Sequence, residues 1–217
     1  MHYENFFPFW SCLTDADKES IVRACYGEKL NKGQIMHRSE DTCKGLMSVV
    51  SGSLRTYIVS EEGREITLFR VFGGEVCVLS ASCLMDTIDF DIIIEATEET
   101  EVMILPSVVL NDVMNRNPQV ELFMYKAATD KFSDVMWTLQ QILFKKIDQR
   151  VAGFIWDEIS HSEENTLVIT HDEIARYIGS AREVVTKVLK YLAMCDAIEL
   201  KRGKIIVKDK NILESFL

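Results

Sequence analysis

Five polar side chains recur along one face of a predicted helix near the carboxyl end of the chain. They are Arg182, Glu183, Thr186, Lys187 and Lys190. The opposite face of the same helix is apolar and is predicted to be buried; it carries Val184, Val185, Val188, Leu189 and Leu192. An Arg/Lys face suits a nucleic acid, whose phosphates are anionic. The same spacing also fits an ordinary helical hairpin with a solvated polar face.

A shorter helix and a tight turn must position this face. Thr170 is predicted to cap the shorter helix, and Glu173 three residues later completes a capping box. Gly179 stands where that helix must stop and the chain must turn. The two helices and their turn therefore predict a DNA-binding helix-turn-helix.

A β-hairpin pattern follows, with strands at 197–200 and 205–208 around the basic turn Lys201-Arg202-Gly203-Lys204. It stands where a winged helix carries its wing. Residues 170–210 hold nine Lys/Arg and six Asp/Glu, a balance of +3 in a chain of net charge -10. The basic surface is therefore concentrated in this segment, while the acidic remainder argues against general coating of nucleic acid.

The bulk composition indicates a globular protein of 217 residues, with 47% hydrophobic and 27% charged residues. The first residues show no secretion signal, and no run of about 18 apolar residues predicts a membrane span. We therefore expect a cytoplasmic protein without a membrane partner. Its six cysteines are expected to be free thiols in a reducing compartment.

The segment from about 28 to 105 alternates short apolar runs with glycine-centred turns. Strands are predicted at 46–50, 54–59, 66–71, 92–95 and 102–105, after a short capped helix at 14–25 in which Ile21, Val22 and Ala24 share a face. Strands at this spacing predict an antiparallel sandwich or barrel.

A short helix is predicted at 107–114, and a long one is predicted to start at Asn117-Pro118 and to run to about residue 145. An apolar stripe with spacings of three and four follows the long helix: Tyr125, Ala128, Phe132, Val135, Leu139 and Ile142. The stripe fits packing on the protein's own barrel or a parallel homodimer seam. A helix of about 28 residues, about 42 Å long, exceeds what one small barrel covers, which favours the dimer. A hinge between the long helix and the segment that follows it is predicted at 145–148.

This order of elements resembles the CRP/FNR family of bacterial transcription regulators over nearly the whole chain. The segment Arg182-Glu183-Val184-Val185-Thr186-Lys187 matches the recognition-helix pattern, and Gly74-Glu75 is a second match. The resemblance implies an α+β fold: an N-terminal antiparallel β-roll (a cupin-like jelly roll), a long dimerisation helix and a C-terminal winged helix-turn-helix. The corresponding domains are 1–116 for effector sensing, 117–146 for dimerisation and hinge, and 147–217 for DNA binding.

The resemblance also implies roles for individual residues. Arg182 and Glu183 would read base edges, because arginine bonds guanine bidentately and a carboxylate accepts from cytosine. Thr186 and Lys187 are further candidates for base or phosphate contacts. Wing residues would contact phosphates: Lys201, Arg202 and Lys204. The partners implied are double-stranded DNA, a second copy of the chain and RNA polymerase.

The candidate effector pocket departs from the cyclic-nucleotide branch of the family. That branch holds the phosphate with an Arg-Ser or Arg-Thr pair, where this chain reads Asp89-Phe90-Asp91. Carboxylates repel phosphate, which argues against cyclic AMP. The pocket candidates are Gly74, Glu75, Cys77 and Cys83.

Cofactor expectations rest on the cysteines. Cys12, Cys25 and Cys43 are too spread for the family's iron–sulfur pattern, and Leu79 stands where the similar haem regulator has a histidine. The favoured interpretation makes Cys77 and Cys83 core residues. Thiol redox sensing and a haem or metal ligand remain open as alternatives, so the cofactor is left unknown, with haem or no cofactor both compatible with the sequence.

Two other function classes fit the sequence less well. A cupin-like metalloenzyme needs clustered ligands, but His2, His37, His161 and His171 are scattered, so no enzyme is expected. A ligand-binding protein that has lost DNA binding is opposed by the basic wing. The sequence leaves open the effector, the operator and whether transcription is activated or repressed.

Overall fold

The computed structural model describes residues 3–38, 43–84, 91–162 and 164–217. These residues form two compact units. The first is made by the chain up to Ile58 together with Leu68–Val135, and the second by Val59–Thr67 together with Met136–Leu217. Within the described residues, no helix is long and apolar enough to cross a membrane.

Two four-stranded sheets build the body of the β-roll, with strand orders β1-β8-β3-β6 and β2-β7-β4-β5. The strands are β1 Tyr26–Leu30, β2 Ile35–Arg38, β3 Gly45–Ser51, β4 Ser53–Val59, β5 Glu65–Phe72, β6 Val76–Cys77, β7 Ile93–Ala96 and β8 Thr100–Pro106. Neighbouring strands such as β3 and β8 run antiparallel, with Met47 opposite Ile104. The predicted antiparallel architecture is therefore confirmed.

Helices close one end of the first unit: α1 Asp15–Ala24 and α2 Ser107–Arg116, with 3₁₀ turns at Tyr3–Asn5, Trp10–Cys12 and Val78–Leu84. Thr14 caps α1 by accepting a hydrogen bond from Asp17 N at 3.2 Å. Ile21 is buried and Val22 is exposed, so these two residues do not share one buried face. Ile21 belongs to a buried core that also contains aromatic residues of the amino-terminal segment, Phe7 and Phe9 among them.

The long helix α3 spans Pro118–Phe144. It begins as predicted, because Asn117 Oδ1 accepts from Gln119 N at 3.1 Å and proline suits the first turn. The helix α4, Ile147–Ser162, follows after a break at 145–146, within the predicted hinge.

The second unit has its own core, formed where α4, α5, α6 and a small sheet meet. Its further elements are β9 Thr166–Leu167, α5 His171–Ile178, α6 Arg182–Met194, β10 Ile198–Lys201, β11 Lys204–Val207 and α7 Lys210–Glu214. The sheet order is β10-β11-β9, and buried side chains such as Ile155, Leu189 and Ile198 fill the interior. This is a winged helix-turn-helix, as predicted.

The apolar run Leu167-Val168-Ile169 predicts a short strand, but strand β9 covers only Thr166–Leu167. It ends at Leu167, and Val168 is 74% exposed, because β11 pairs only with Thr166 and Leu167. The predicted domain boundaries fall next to the starts of α3 and α4, and the division into three functional domains stays a prediction.

Candidate nucleic-acid interface

Helix α5 starts at a closed capping box. Thr170 Oγ1 accepts from Glu173 N at 3.1 Å, and Glu173 Oε2 accepts from Thr170 N at 2.9 Å. Two of the backbone donors at this helix start are therefore satisfied by local side chains. The predicted box is confirmed, and it fixes where the first helix of the pair begins.

The turn after α5 depends on Gly179, which has a left-handed φ of 61°. A Cβ added at this glycine would lie 2.9 Å from Ile66 Cγ1. Two arginines hold the same turn: Arg150 donates to the Ile178 carbonyl, and Arg64 donates to the Gly179 carbonyl. Sequence patterns gave no sign of these arginine contacts, since both side chains come from distant segments.

The polar face of α6 is presented to solvent, with Arg182, Glu183, Lys187 and Lys190 exposed and Thr186 half-buried. The opposite face is anchored by Val185, Val188, Leu189 and Leu192 in the core of the second unit. Val184 is 38% exposed, so its predicted burial is wrong. It precedes Val185 by one residue, about 100° around the helix, and therefore points away from the buried stripe.

His171, the first residue of α5, contacts the middle of α6. Its Nδ1 lies 2.9 Å from Thr186 Oγ1. Burial, together with the positive charges of Arg182 and Lys190, lowers the pKa of His171 below its usual value. The imidazole is therefore neutral at pH 7, and it engages the Thr186 hydroxyl that the sequence offered as a candidate for DNA contact.

The wing is a tight hairpin with Arg202 and Gly203 at its tip. Lys201 and Lys204 are paired across β10 and β11, and both side chains are exposed together with Arg202. Lys201 Nζ lies 3.4 Å from Glu199 Oε1, an exposed pair that holds the ammonium group only weakly. The three predicted wing cations thus share one exposed tip.

An open groove of about 710 Å³ separates the wing from the start of the two helices. Its lining residues are Ile169, Thr170, His171, Asp172, Arg182, Lys201, Arg202, Gly203, Lys204 and Ile205. Four of these side chains are permanently cationic, and one is a carboxylate. The groove therefore joins Arg182 of α6 to the wing cations in one positively charged concavity.

In the β-roll, Gly74 and Glu75 close the turn between β5 and β6. Gly74 N donates to Val49 O at 2.8 Å, and Glu75 Oε2 accepts from Phe72 N at 2.9 Å. The predicted pocket carboxylate thus satisfies a backbone donor of its own turn.

Cys77 is fully buried among apolar side chains of the β-roll, such as Met47 and Ile104. Burial raises the pKa of its thiol to about 11. A neutral thiol in such surroundings behaves as a small apolar residue, which supports the core interpretation over a thiolate ligand.

Thiol reactivity provides a test of this placement. Burial raises the pKa of Cys25 to about 12, and Cys12 is exposed. Because alkylation needs the thiolate, we expect Cys25 and Cys77 to react with iodoacetamide at pH 8 at least tenfold more slowly than Cys12, and faster as the pH rises. Peptide mass spectrometry measures the rates, and unfolding in guanidinium should equalise them. Equal rates in the folded protein would contradict the burial of Cys77.

Cys83 is joined to Cys43 by a disulfide, with their Cα atoms 6.2 Å apart. The other cysteines, all of which lie in the described part of the chain, are free. The expectation of six free thiols is therefore wrong for this pair, and so is the interpretation of Cys83 as a core residue, because Cys83 is exposed. The two residues are 40 positions apart and meet only because β3 and the 3₁₀ segment Val78–Leu84 lie side by side.

The predictions on the phosphate-binding pair and on the histidines concern residues that lie partly outside the described part of the chain. Asp89 and Phe90, which replace the phosphate-binding pair, lie outside the described residues, as does His2; the side chain of His37 is also not described. Among the described residues, no three His, Cys, Asp or Glu side chains are grouped closely enough to hold a metal ion.

The predicted stripe on α3 divides into two halves. Tyr125, Phe132 and Leu139 are exposed, whereas Ala128 and Val135 pack on the cores of the β-roll and Ile142 is half-buried. Other exposed side chains of α3 combine with Tyr125, Phe132 and Leu139 to form one exposed stripe with spacings of three and four residues. The exposed positions in order are Leu122, Tyr125, Thr129, Phe132, Met136, Leu139 and Leu143.

Two parts of the chain match known domains. Residues 28–117 match the cyclic nucleotide-binding domain, and residues 149–216 match the Crp-like helix-turn-helix domain. A transcriptional regulator of the CRP/FNR family from Eubacterium rectale, known from its crystal structure, is 42% identical with a TM-score of 0.94, covering 98% of this chain and 99% of that chain. This chain belongs to the CRP/FNR family.

Other members of the CRP/FNR family are more distant. The transcriptional activator protein Anr of Pseudomonas aeruginosa is 26% identical, over 81% of this chain and 74% of its own. The fumarate and nitrate reduction regulatory protein of Escherichia coli is 23% identical, over 84% of this chain and 74% of its own. The predicted assignment to CRP/FNR-type transcription regulators is thus confirmed, and both relatives are named as activator or regulatory proteins.

Proposed function

We propose that this CRP/FNR protein binds DNA sequence-specifically by inserting α6 into the major groove. The observation that carries the proposal is the cationic groove, in which Arg182 lies between the start of α5 and the wing. A helix in the major groove with a wing on the adjacent backbone needs this arrangement, because phosphates flank the groove on both sides.

The polar residues of α6 have distinct roles in this proposal. Arg182 donates both ends of its guanidinium to O6 and N7 of a guanine, and Glu183 accepts from the amino group of a cytosine. Lys187 contacts a phosphate or a base edge. Thr186 acts through its contact with His171, which fixes the start of α5 against α6 at 2.9 Å.

The wing contributes affinity without sequence information. Lys201, Arg202 and Lys204 contact phosphates, since exposed cations on one tip displace the counterions of the backbone. Their contribution acts on any DNA sequence, so the discrimination between sequences stays with α6.

Salt dependence measures that contribution. We expect Arg202→Ala to reduce the magnitude of the slope of log Kobs against log[salt] by about 1.8, because the dimer loses one phosphate contact at each half-site, and the triple alanine variant of the wing to reduce it by about 5.4. Fluorescence anisotropy with a labelled duplex at several salt concentrations gives the slopes. Lys29→Ala, which removes an exposed cation from β1, is the matched control and should leave the slope unchanged. An unchanged slope in the triple variant would exclude the wing from the interface.

We further propose that the functional form is a parallel homodimer whose seam follows the exposed stripe of α3. The spacing of three and four is that of a coiled coil, and the described residues of the single chain leave the apolar members of the stripe exposed. A two-fold axis along this seam would present two copies of α6 to half-sites about 34 Å apart.

The proposal also includes regulation by the β-roll, the cellular location of the dimer and a further protein partner. The β-roll carries the regulatory signal, and the dimer works in the cytoplasm, with RNA polymerase as a further partner. Whether the Asp89-Phe90-Asp91 segment excludes cyclic AMP can be measured by calorimetry with the nucleotide, and saturable binding would reject that exclusion.

A selection from random DNA sequences tests the proposed function. The purified full-length protein should enrich an inverted repeat whose half-site centres are about 10 base pairs apart. Enrichment of no sequence, under both reducing and oxidising conditions, would reject sequence-specific DNA binding.

A further inference from the structure

The disulfide between Cys43 and Cys83 lies at an accessible part of the β-roll. Cys83 is exposed and Cys43 is half-buried. A small dithiol or disulfide in solution can therefore reach a sulfur atom of this pair, which is the first requirement for reversible exchange. The fully buried thiol Cys77 does not meet this requirement, and Cys25 is half-buried.

In the described part of the chain, side-chain hydrogen bonds anchor the segments on either side of the bond. On one side, Ser80 holds the Val78–Leu84 segment, because its Oγ accepts from Met47 N at 3.0 Å. On the other side, Ser107 Oγ donates to the Cys43 carbonyl at 3.3 Å. Ser107 is the first residue of α2, so the bond ties the segment after β6 to the start of that helix.

Helix α2 leads directly to the proposed dimer seam. It ends at Arg116, and α3 begins at Pro118. Leu110 and Val113 of α2 share one buried core with Val120 and Met124 of α3. A change at the start of α2 is therefore transmitted to the first turns of α3 through direct packing.

We propose that Cys43 and Cys83 form a reversible redox site, and that the bonded form binds DNA more tightly than the reduced form. This inference rests on the proposed DNA-binding function. The bond fixes the start of α2 and, through the shared core, the first turns of α3. A dimer helix that is already fixed loses less freedom when two copies engage DNA, which favours tight binding.

The chemistry is thiol–disulfide exchange with a low-molecular-weight disulfide. The Cys83 thiolate attacks that disulfide, forms a mixed disulfide and releases one small thiolate. The Cys43 thiolate then attacks the Cys83 sulfur and releases the second small thiolate. The two cysteines are oxidised, one small disulfide is reduced to two thiols, and the two cysteine protons end on those thiols. A dithiol reverses the sequence.

The first experiment measures DNA affinity after the protein is treated with oxidised glutathione or with reduced dithiothreitol. The selected operator is used at fixed salt, and alkylation with mass spectrometry gives the fraction of the Cys43–Cys83 bond in each sample. We expect the oxidised wild-type protein to bind at least tenfold more tightly. Cys43→Ser and Cys83→Ser should bind like the reduced protein after both treatments. Cys12→Ser, at an exposed unpaired cysteine, should respond like the wild type.

A second measurement, the melting temperature, shows whether the two serine variants are folded. The melting temperature of the wild-type protein should fall by about 5–10 °C on reduction, because the bond closes a loop of about 40 residues, and both serine variants should melt like the reduced protein. Affinities that agree within twofold between treatments, with the bond shown to form and break, would overturn the inference, as would tighter binding by the reduced form. Failure to bind any DNA after either treatment would instead overturn the proposed function and the inference with it.

Discussion

Replacing Arg182 with alanine is expected to weaken operator binding by roughly 30-fold to 20,000-fold. The reason is that one bidentate contact to guanine contributes about 1–3 kcal/mol and a dimer makes it twice, so about 2–6 kcal/mol is lost. Binding to unrelated DNA should fall only a few-fold, since the phosphate contacts of the wing remain. Anisotropy titrations with operator and unrelated duplexes give both numbers.

Two further variants separate charge from geometry at this position. Arg23→Ala removes the same charge from an exposed site on α1 and should leave operator affinity within about threefold. Arg182→Lys keeps the charge but loses the planar fork, so it should retain binding to unrelated DNA and lose most of the preference for the operator. Full operator preference in Arg182→Lys would argue that Arg182 contacts only phosphate.

The second large effect is expected at the dimer seam, where Phe132 is 63% exposed in the single chain. Phe132→Glu should raise the dimer dissociation constant at least a hundredfold. It removes two buried aromatic side chains, each contributing about 1.5–3 kcal/mol, and places two carboxylates face to face. Sedimentation should then give a species near the chain mass of 24.9 kDa.

The control for this variant is Ser133→Glu, an exposed position one residue further along α3 that lies off the stripe. It should remain dimeric and keep its operator affinity. Phe132→Glu should lose most operator affinity even though its α6 is unchanged, because each half-site then binds alone. A dimeric Phe132→Glu protein would show that the exposed stripe is not the seam.

Local signals explain what could be predicted from the sequence. The capping box of Thr170 and Glu173 and the turn at Gly179 depend on residues within one or two helical turns of each other, and the structure has each where the pattern places it. The wing is similar, because its two strands are joined by a tight turn. The buried face of α6 follows from periodicity, except at Val184 on its border.

Tertiary contacts explain what could not be predicted. The Cys43–Cys83 bond, the His171–Thr186 contact and the two arginines on the α5 turn all join side chains from separate elements. The sequence of α3 contains two apolar stripes with the same spacing. Packing against the β-roll core determines which residues are buried and which stripe faces outward. Ala128 and Val135 pack inward for that reason.

The most direct test of the central claim is a cycle of substitutions between Arg182 and the operator. Each base pair of the selected half-site is changed in turn, and the affinities of the wild-type protein and of Arg182→Ala are compared. One G·C position per half-site should discriminate strongly for the wild type and no longer for the variant. If Arg182→Ala discriminates at every position as the wild type does, α6 does not read the sequence through this residue, and the proposed recognition is wrong.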